Sequence, residues 1–243
     1  MNTTKASPNR TNKIIARIVG ALFIVATITY MIGSGLIGSI VEAPDYLISV
    51  YPNKTQMIIG MLLELINSAA VVGIAVMLFP ILKKHNESMA LGYVGFRVIE
   101  SAILMVGAIG PLLLISLSQE YINSGAPVTS YFQPLGTLVM EVHDMAFQMA
   151  MIVLGIGSLM FCYLLYQSKL IPRFISVLGL IGYASLLTST LIEIFGTNTG
   201  MVLFLPGALF EIIFPIWLIV KGFNSFAIDS QSIRTDIVVP KYM

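Results

Sequence analysis

Apolar residues fall into six long blocks, at about 18–40, 56–82, 91–117, 140–166, 174–195 and 201–220, separated by short polar segments. A helix rises 1.5 Å per residue, so roughly 20 apolar residues cross a hydrocarbon core of about 30 Å. Each block meets that length, and in lipid only helices and closed barrels satisfy every backbone polar group. The pattern therefore predicts an all-α, polytopic membrane protein. It is a six-helix transmembrane bundle over residues 18–221, with polar tails at 1–17 and 222–243.

Polar punctuation refines each block. The basic stretch before Ile18 resembles the start of a signal peptide, but the apolar run exceeds the usual length of about 7–15 residues and no small-residue cleavage site closes it. Gly33 to Ser39, GSGLIGS, offers small residues for close helix approach. A loop is expected over 41–55. In the second block Glu64, Asn67 and Ser68 share one helical face. The connection 83–88 carries His85 among charges, where it reads as solvated. Pro111 is placed to kink the third span. The longest loop is expected over 118–134. The fourth apolar region, 135–167, is too long for one perpendicular span, so its first turns project or tilt.

Composition changes the picture by exclusion. With 57% hydrophobic and 10% charged residues and a mean hydropathy of +0.91, the chain departs far from a soluble domain, for which about 45–50% apolar and about 25% charged residues are usual. Six spans leave no length for a soluble catalytic domain, so function belongs to the bundle or its loops. A net charge of +1 without a clustered basic face argues against nucleic acid as a partner. The single cysteine, Cys162, excludes an internal disulfide and reads as a small buried side chain. Eleven of the thirteen Lys and Arg residues fall on the N-terminal side of this arrangement, Lys54 alone on the other, and Arg97 within a span. By the positive-inside rule both termini are cytoplasmic.

Ionisable residues inside the spans are the candidates for chemistry, because each costs roughly 2.5–3.5 kcal/mol at a helix centre unless it finds a partner or a cavity. Arg97 and Glu100 stand one helical turn apart in the third span, with Glu211 near the middle of the sixth. Glu64, His143, Asp144 and Glu193 fall in the outer half, and Glu141 precedes His143 by two residues. One expectation is a polar path along Glu64, Arg97, Glu100 and Glu211, as in a small transporter or carrier. A second is an intramembrane hydrolase or oxidoreductase using His143, Asp144 and Glu141. A third is a scaffold or stress protein without catalysis, in which Arg97 and Glu100 form a structural ion pair. No metal site is expected, since one histidine in a span lacks the second that intramembrane metal sites use, and no cofactor is expected either. No Gly-x-Ser-x-Gly elbow, Walker loop or dinucleotide fingerprint appears. Gly155 and Gly157 read as helix-packing positions. The expected partners are the lipid bilayer and an unknown small-molecule or ion substrate, with room for a homo-oligomer.

Five short motifs, in order, carry a family resemblance: AlaArgIleValGly at 16–20, PheArgValIleGluSer at 96–101, HisAsp at 143–144, IleProArg at 171–173 and TrpLeuIleValLysGly at 217–222. Together they resemble domain-of-unknown-function family 4386, a family of bacterial multi-pass membrane proteins. The resemblance implies a place in the bacterial plasma (inner) membrane. It carries over no catalytic residues, because that family has no established activity.

Overall fold

A computed structural model of the chain describes residues 8–127, 131–197 and 200–224. Lys5, Arg234 and Lys241, used above for orientation, lie outside the described residues. The elements in order are α1 (Pro8–Val41), α2 (Tyr46–Val50), α3 (Lys54–Leu82), α4 (Glu87–Gly107), α5 (Ile109–Asn123), α6 (Phe132–Ser168) and α7 (Arg173–Ile194). A 3-10 turn, Gly200–Phe204, then leads into α8 (Leu205–Val220). No strand occurs among the described residues. Among the described residues six helices are long and apolar enough to cross a membrane: Arg10–Val41, Lys54–Leu82, Glu87–Asn123, Phe132–Ser168, Arg173–Ile194 and Val202–Val220. Large apolar side chains such as Met31 (67%), Leu91 (61%) and Val106 (61%) stand exposed along them. Such a coat would aggregate in water and is what lipid requires. The chain is a multi-pass membrane protein.

Three local features depart from the sequence expectation. Helix α1 is described from Pro8, well before the first apolar block. Helix α6 runs 37 residues from Phe132 and so takes up part of the loop expected over 118–134. Within the loop expected over 41–55 lies α2, whose Leu47 and Val50 are fully buried.

The chain divides into two compact units. Unit 1 holds residues up to Ile24, Val72–Arg97 and Ile152 onward, and its core is aromatic. Tyr93 stacks on Phe161, Phe161 meets Phe214 edge-on, and Phe214 in turn contacts Phe23 and Phe210, with Tyr183 edge-on to Phe210. Each such pair adds about 0.5–1.5 kcal/mol beyond its buried area. Glycines bring the backbones close enough for these rings to meet. A Cβ on Gly20 would lie 2.8 Å from the Pro215 carbonyl, and one on Gly157 would lie 2.6 Å from Phe96 Cβ. Gly155 faces Leu187, so both glycines of the fourth block pack against other helices.

Unit 2 comprises Val25–Val71 and Val98–Met151. Its core gathers Ile37, Ile40, Leu47, Met57, Leu114 and Phe132. Gly33 and Gly60 mark a close crossing of α1 and α3, since a Cβ on either would come within 3.0 Å of the other's carbonyl oxygen, while Gly35 faces open space. Ser118, buried on α5, clasps α2: its hydroxyl donates to the Leu47 carbonyl and accepts from the Tyr51 N–H at 2.9 Å.

Candidate functional site

The site grows from a break in one helix. Pro111 has no N–H to give to the carbonyl four residues back, at Gly107, and the helix is interrupted between α4 and α5 at Ala108. Gly107 and Gly110 carry no side chains there, which lets α6 come close. A Cβ on Gly107 would lie 2.8 Å from Ala146 Cβ, and one on Gly110 would lie 3.2 Å from His143 Cβ. His143 on α6 is thereby brought to the exposed carbonyl, and its Nδ1–H donates to Gly107 O at 3.0 Å. A carbonyl only accepts, so Nδ1 bears the proton and, in the neutral ring, Nε2 keeps a lone pair.

Around this imidazole lies a cavity of about 160 Å³ in unit 2. Its polar lining is Tyr30, Ser34, Glu64, His143 and Asp144, and Phe147 supplies apolar wall. The Tyr30 and Phe147 rings stack, with centroids 5.5 Å apart and planes within 8°. The Tyr30 hydroxyl and Ser34 side chain share a hydrogen bond across one turn of α1. Glu64 is 8% exposed, and His143 is near enough to interact with the charges of both Glu64 and Asp144. The face of α3 bearing Glu64 is held by Ser68, whose hydroxyl donates to the Glu64 carbonyl at 3.1 Å, and by Ser101, whose hydroxyl donates to the Ser68 carbonyl at 3.0 Å. At about 30 Å³ per water, the space corresponds to about five waters. Two carboxylates, an imidazole nitrogen and two hydroxyls face it, and none of the lining residues is a Lys or Arg.

The remaining candidates are distributed elsewhere. Arg97 and Glu211 belong to unit 1, where Arg97 is 5% exposed and interacts electrostatically with Glu211. The Tyr183 hydroxyl donates to Glu211 Oε1 at 3.1 Å, and the Arg97 guanidinium stands 6.0 Å from the Tyr93 ring centroid. Glu100, 2% exposed, belongs to unit 2 but does not line the cavity. Glu193, in unit 1, accepts from the Ser189 hydroxyl at 3.3 Å. Glu141 is exposed and outside the cavity, so the trio with His143 and Asp144 does not converge; Glu64 takes its place. Cys162 is fully buried in unit 1. His85, read from the sequence as solvated, is instead half-buried, with Nε2 inaccessible and lacking a hydrogen-bond partner among the described residues. Burial, and then the neighbouring Lys84, push its pKa below the ordinary histidine value.

Sequence reasoning missed Tyr30, Ser34 and Gly107. Two signals were available: Tyr30 and Ser34 are spaced four apart on one helical face, and Pro111 stands four residues after Gly107. Among the described residues no group of three or more His, Cys, Asp and Glu side chains is arranged to hold a metal ion.

No curated protein and no solved structure shows a significant match to the chain. A family model described as a domain of unknown function, DUF4386, matches residues 18–222, a stretch that contains both Pro111 and His143, and the chain belongs to that family.

Proposed function

We propose that the protein is a small carrier in the bacterial plasma membrane, with both termini cytoplasmic, and that the cavity around His143 is its binding site for a small organic cation. One observation carries this reading: the buried carboxylate of Glu64 faces a cavity it shares with Asp144 and the imidazole of His143, whose Nδ1 is engaged with the Gly107 carbonyl, with no Lys or Arg in the lining. Ionisable groups inside a membrane that line a cavity mark substrate or ion pathways by default. Two carboxylates attract an ammonium group, and the Tyr30–Phe147 stack adds aromatic surface beside it. The small volume limits the ligand to a few heavy atoms. The orientation is supported by the bias of Lys and Arg to one side of the spans.

A thermal-shift series on detergent-purified protein tests the reading. Methylammonium, guanidinium and tetramethylammonium chlorides are compared with sodium chloride at equal ionic strength. A ligand at 100 times its Kd stabilises by about 2.7 kcal/mol, an easily measured shift. The expected result is stabilisation by at least one of the smaller cations, abolished by Glu64→Gln. Equal melting in all four salts overturns it.

A second reading, an acid–base hydrolase, is favoured by the presence of Ser34 in the same cavity as the free Nε2. Labelling by a fluorophosphonate probe that disappears in both Ser34→Ala and His143→Ala would replace the carrier reading with this one.

A further inference from the structure

Lys169, Arg173 and Lys221 come from separate elements and line one groove in unit 1. Lys169 follows the last turn of α6, Arg173 opens α7, and Lys221 ends α8. The groove encloses about 500 Å³. Its floor is apolar: Leu170, Ile171 and Phe223 are buried there and Trp217 is half-buried. The three cations stand exposed at its margin, and among the described residues no carboxylate lines it.

The groove is held by backbone contacts. Asn224 N–H donates to the Leu170 carbonyl at 2.9 Å and its side-chain amide to the Lys169 carbonyl at 3.4 Å, so the segment after α8 is tied to the segment before α7. The bends need left-handed backbone at Lys169, φ 56°, and at Gly222, φ 74°. A glycine accepts that conformation freely and a lysine does not, so the lysine turn relies on the surrounding contacts. Ala16 and the aliphatic stem of Lys13, both of α1, stand within 4 Å of where a Cβ on Gly222 would lie.

We propose that this groove binds the headgroup of an anionic phospholipid, with the three cations on the phosphate and the Trp217–Phe223 floor beneath the glycerol and first acyl carbons. Four observations favour that occupant over a soluble phosphate compound. The charge of its described lining residues is uniformly positive. The floor is apolar. The groove lies where α6 and α8 end and α7 begins, at the limit of the apolar spans, which is the depth of lipid headgroups. Its volume lies within the roughly 300–1,000 Å³ of ordinary ligand sites, far more than a phosphate ion needs. The positive-inside bias places basic residues near span ends, but it does not require them to surround one cavity with an apolar base. Arg and Lys also differ usefully here, since the planar Arg173 guanidinium can engage two phosphate oxygens while each lysine serves as a point charge.

Trp217 is the one tryptophan of the 243 residues, and it reports on the groove without any substitution. The full chain is placed in neutral bilayers, and its fluorescence is titrated with phosphatidylglycerol or phosphatidylcholine brominated on the upper acyl chain. The proposal expects quenching by the anionic lipid at a mole fraction on the order of tenfold lower than by the neutral one. Equal quenching overturns it. The variant Lys169→Gln/Arg173→Gln/Lys221→Gln should erase the difference, whereas Lys83→Gln/Lys84→Gln, in a basic connection outside the groove, should keep it. Equal loss in both variants would mean diffuse surface attraction and would overturn the site. In a third arm, inorganic phosphate that displaces the brominated anionic lipid at matched ionic strength would assign the groove to a free phosphate compound instead.

Discussion

A Cβ on Gly182 would lie 2.6 Å from the Gly207 Cα and 2.7 Å from its nitrogen, whereas a Cβ on Gly207 would come no closer than 3.5 Å to the Gly182 carbonyl. The contact between α7 and α8 is therefore asymmetric, although glycine meets glycine. Gly182→Ala forces two backbones apart, at about 1–3 kcal/mol for overpacking. Gly207→Ala adds a methyl group into ordinary contact and gains about 0.5–1 kcal/mol from helix propensity. Melting of the two variants in detergent should move in opposite directions.

The bond between His143 and Gly107 predicts a single neutral tautomer. Nitrogen NMR of histidine-labelled protein, recorded at a pH high enough to make the ring neutral, should show His143 protonated on Nδ1 and bare on Nε2. Pro111→Ala supplies an N–H that competes for the same carbonyl, and the expected result is a mixture of tautomers and weaker stabilisation by the small cations. A spectrum unchanged by Pro111→Ala would show that the carbonyl does not set the tautomer.

In unit 1, Arg97→Leu removes a buried guanidinium and leaves Glu211, half-buried beside Tyr183, without its cation. Removing one partner of a buried pair costs about 3–5 kcal/mol, enough to lower the folded yield sharply. Arg97→Leu/Glu211→Leu should recover most of the loss. A single variant that melts like the parent would mean the pair is not desolvated.

His85 gives the pH dependence. Its folded pKa lies below the ordinary value of 6.5, because burial and Lys84 disfavour the imidazolium. The unfolded chain thus binds the proton more readily, and stability falls as pH drops below about 6.5 until the folded form also protonates. Melting temperatures across that window should decline in the parent and decline less in His85→Gln.

The six spans were legible because hydropathy over 20 residues is a coarse and redundant signal. Helix α2 was not, because its five residues are too short to show a period and form against Ser118 and the core of unit 2. Depth along the spans grouped Glu64, His143, Asp144 and Glu193, and the first three do line one cavity while Glu193 belongs to unit 1. Charge complementarity grouped Glu64 with Arg97, Glu100 and Glu211, which the two units divide differently. Helices that are apolar on every side do not reveal how each is rotated about its axis. That rotation decides which charges share a cavity, and it is set here by glycine contacts and by one carbonyl left without a helical donor.

That carbonyl has a consequence for how protons can travel. A histidine that relays a proton takes it on one ring nitrogen and releases it from the other. In His143 the second nitrogen is engaged with the backbone at 3.0 Å, so the ring has one usable terminal. A proton that arrives on Nε2 must depart from Nε2. His143 is therefore a siding and not a through line, and any coupling of protons to solute must use the same mouth of the cavity for both.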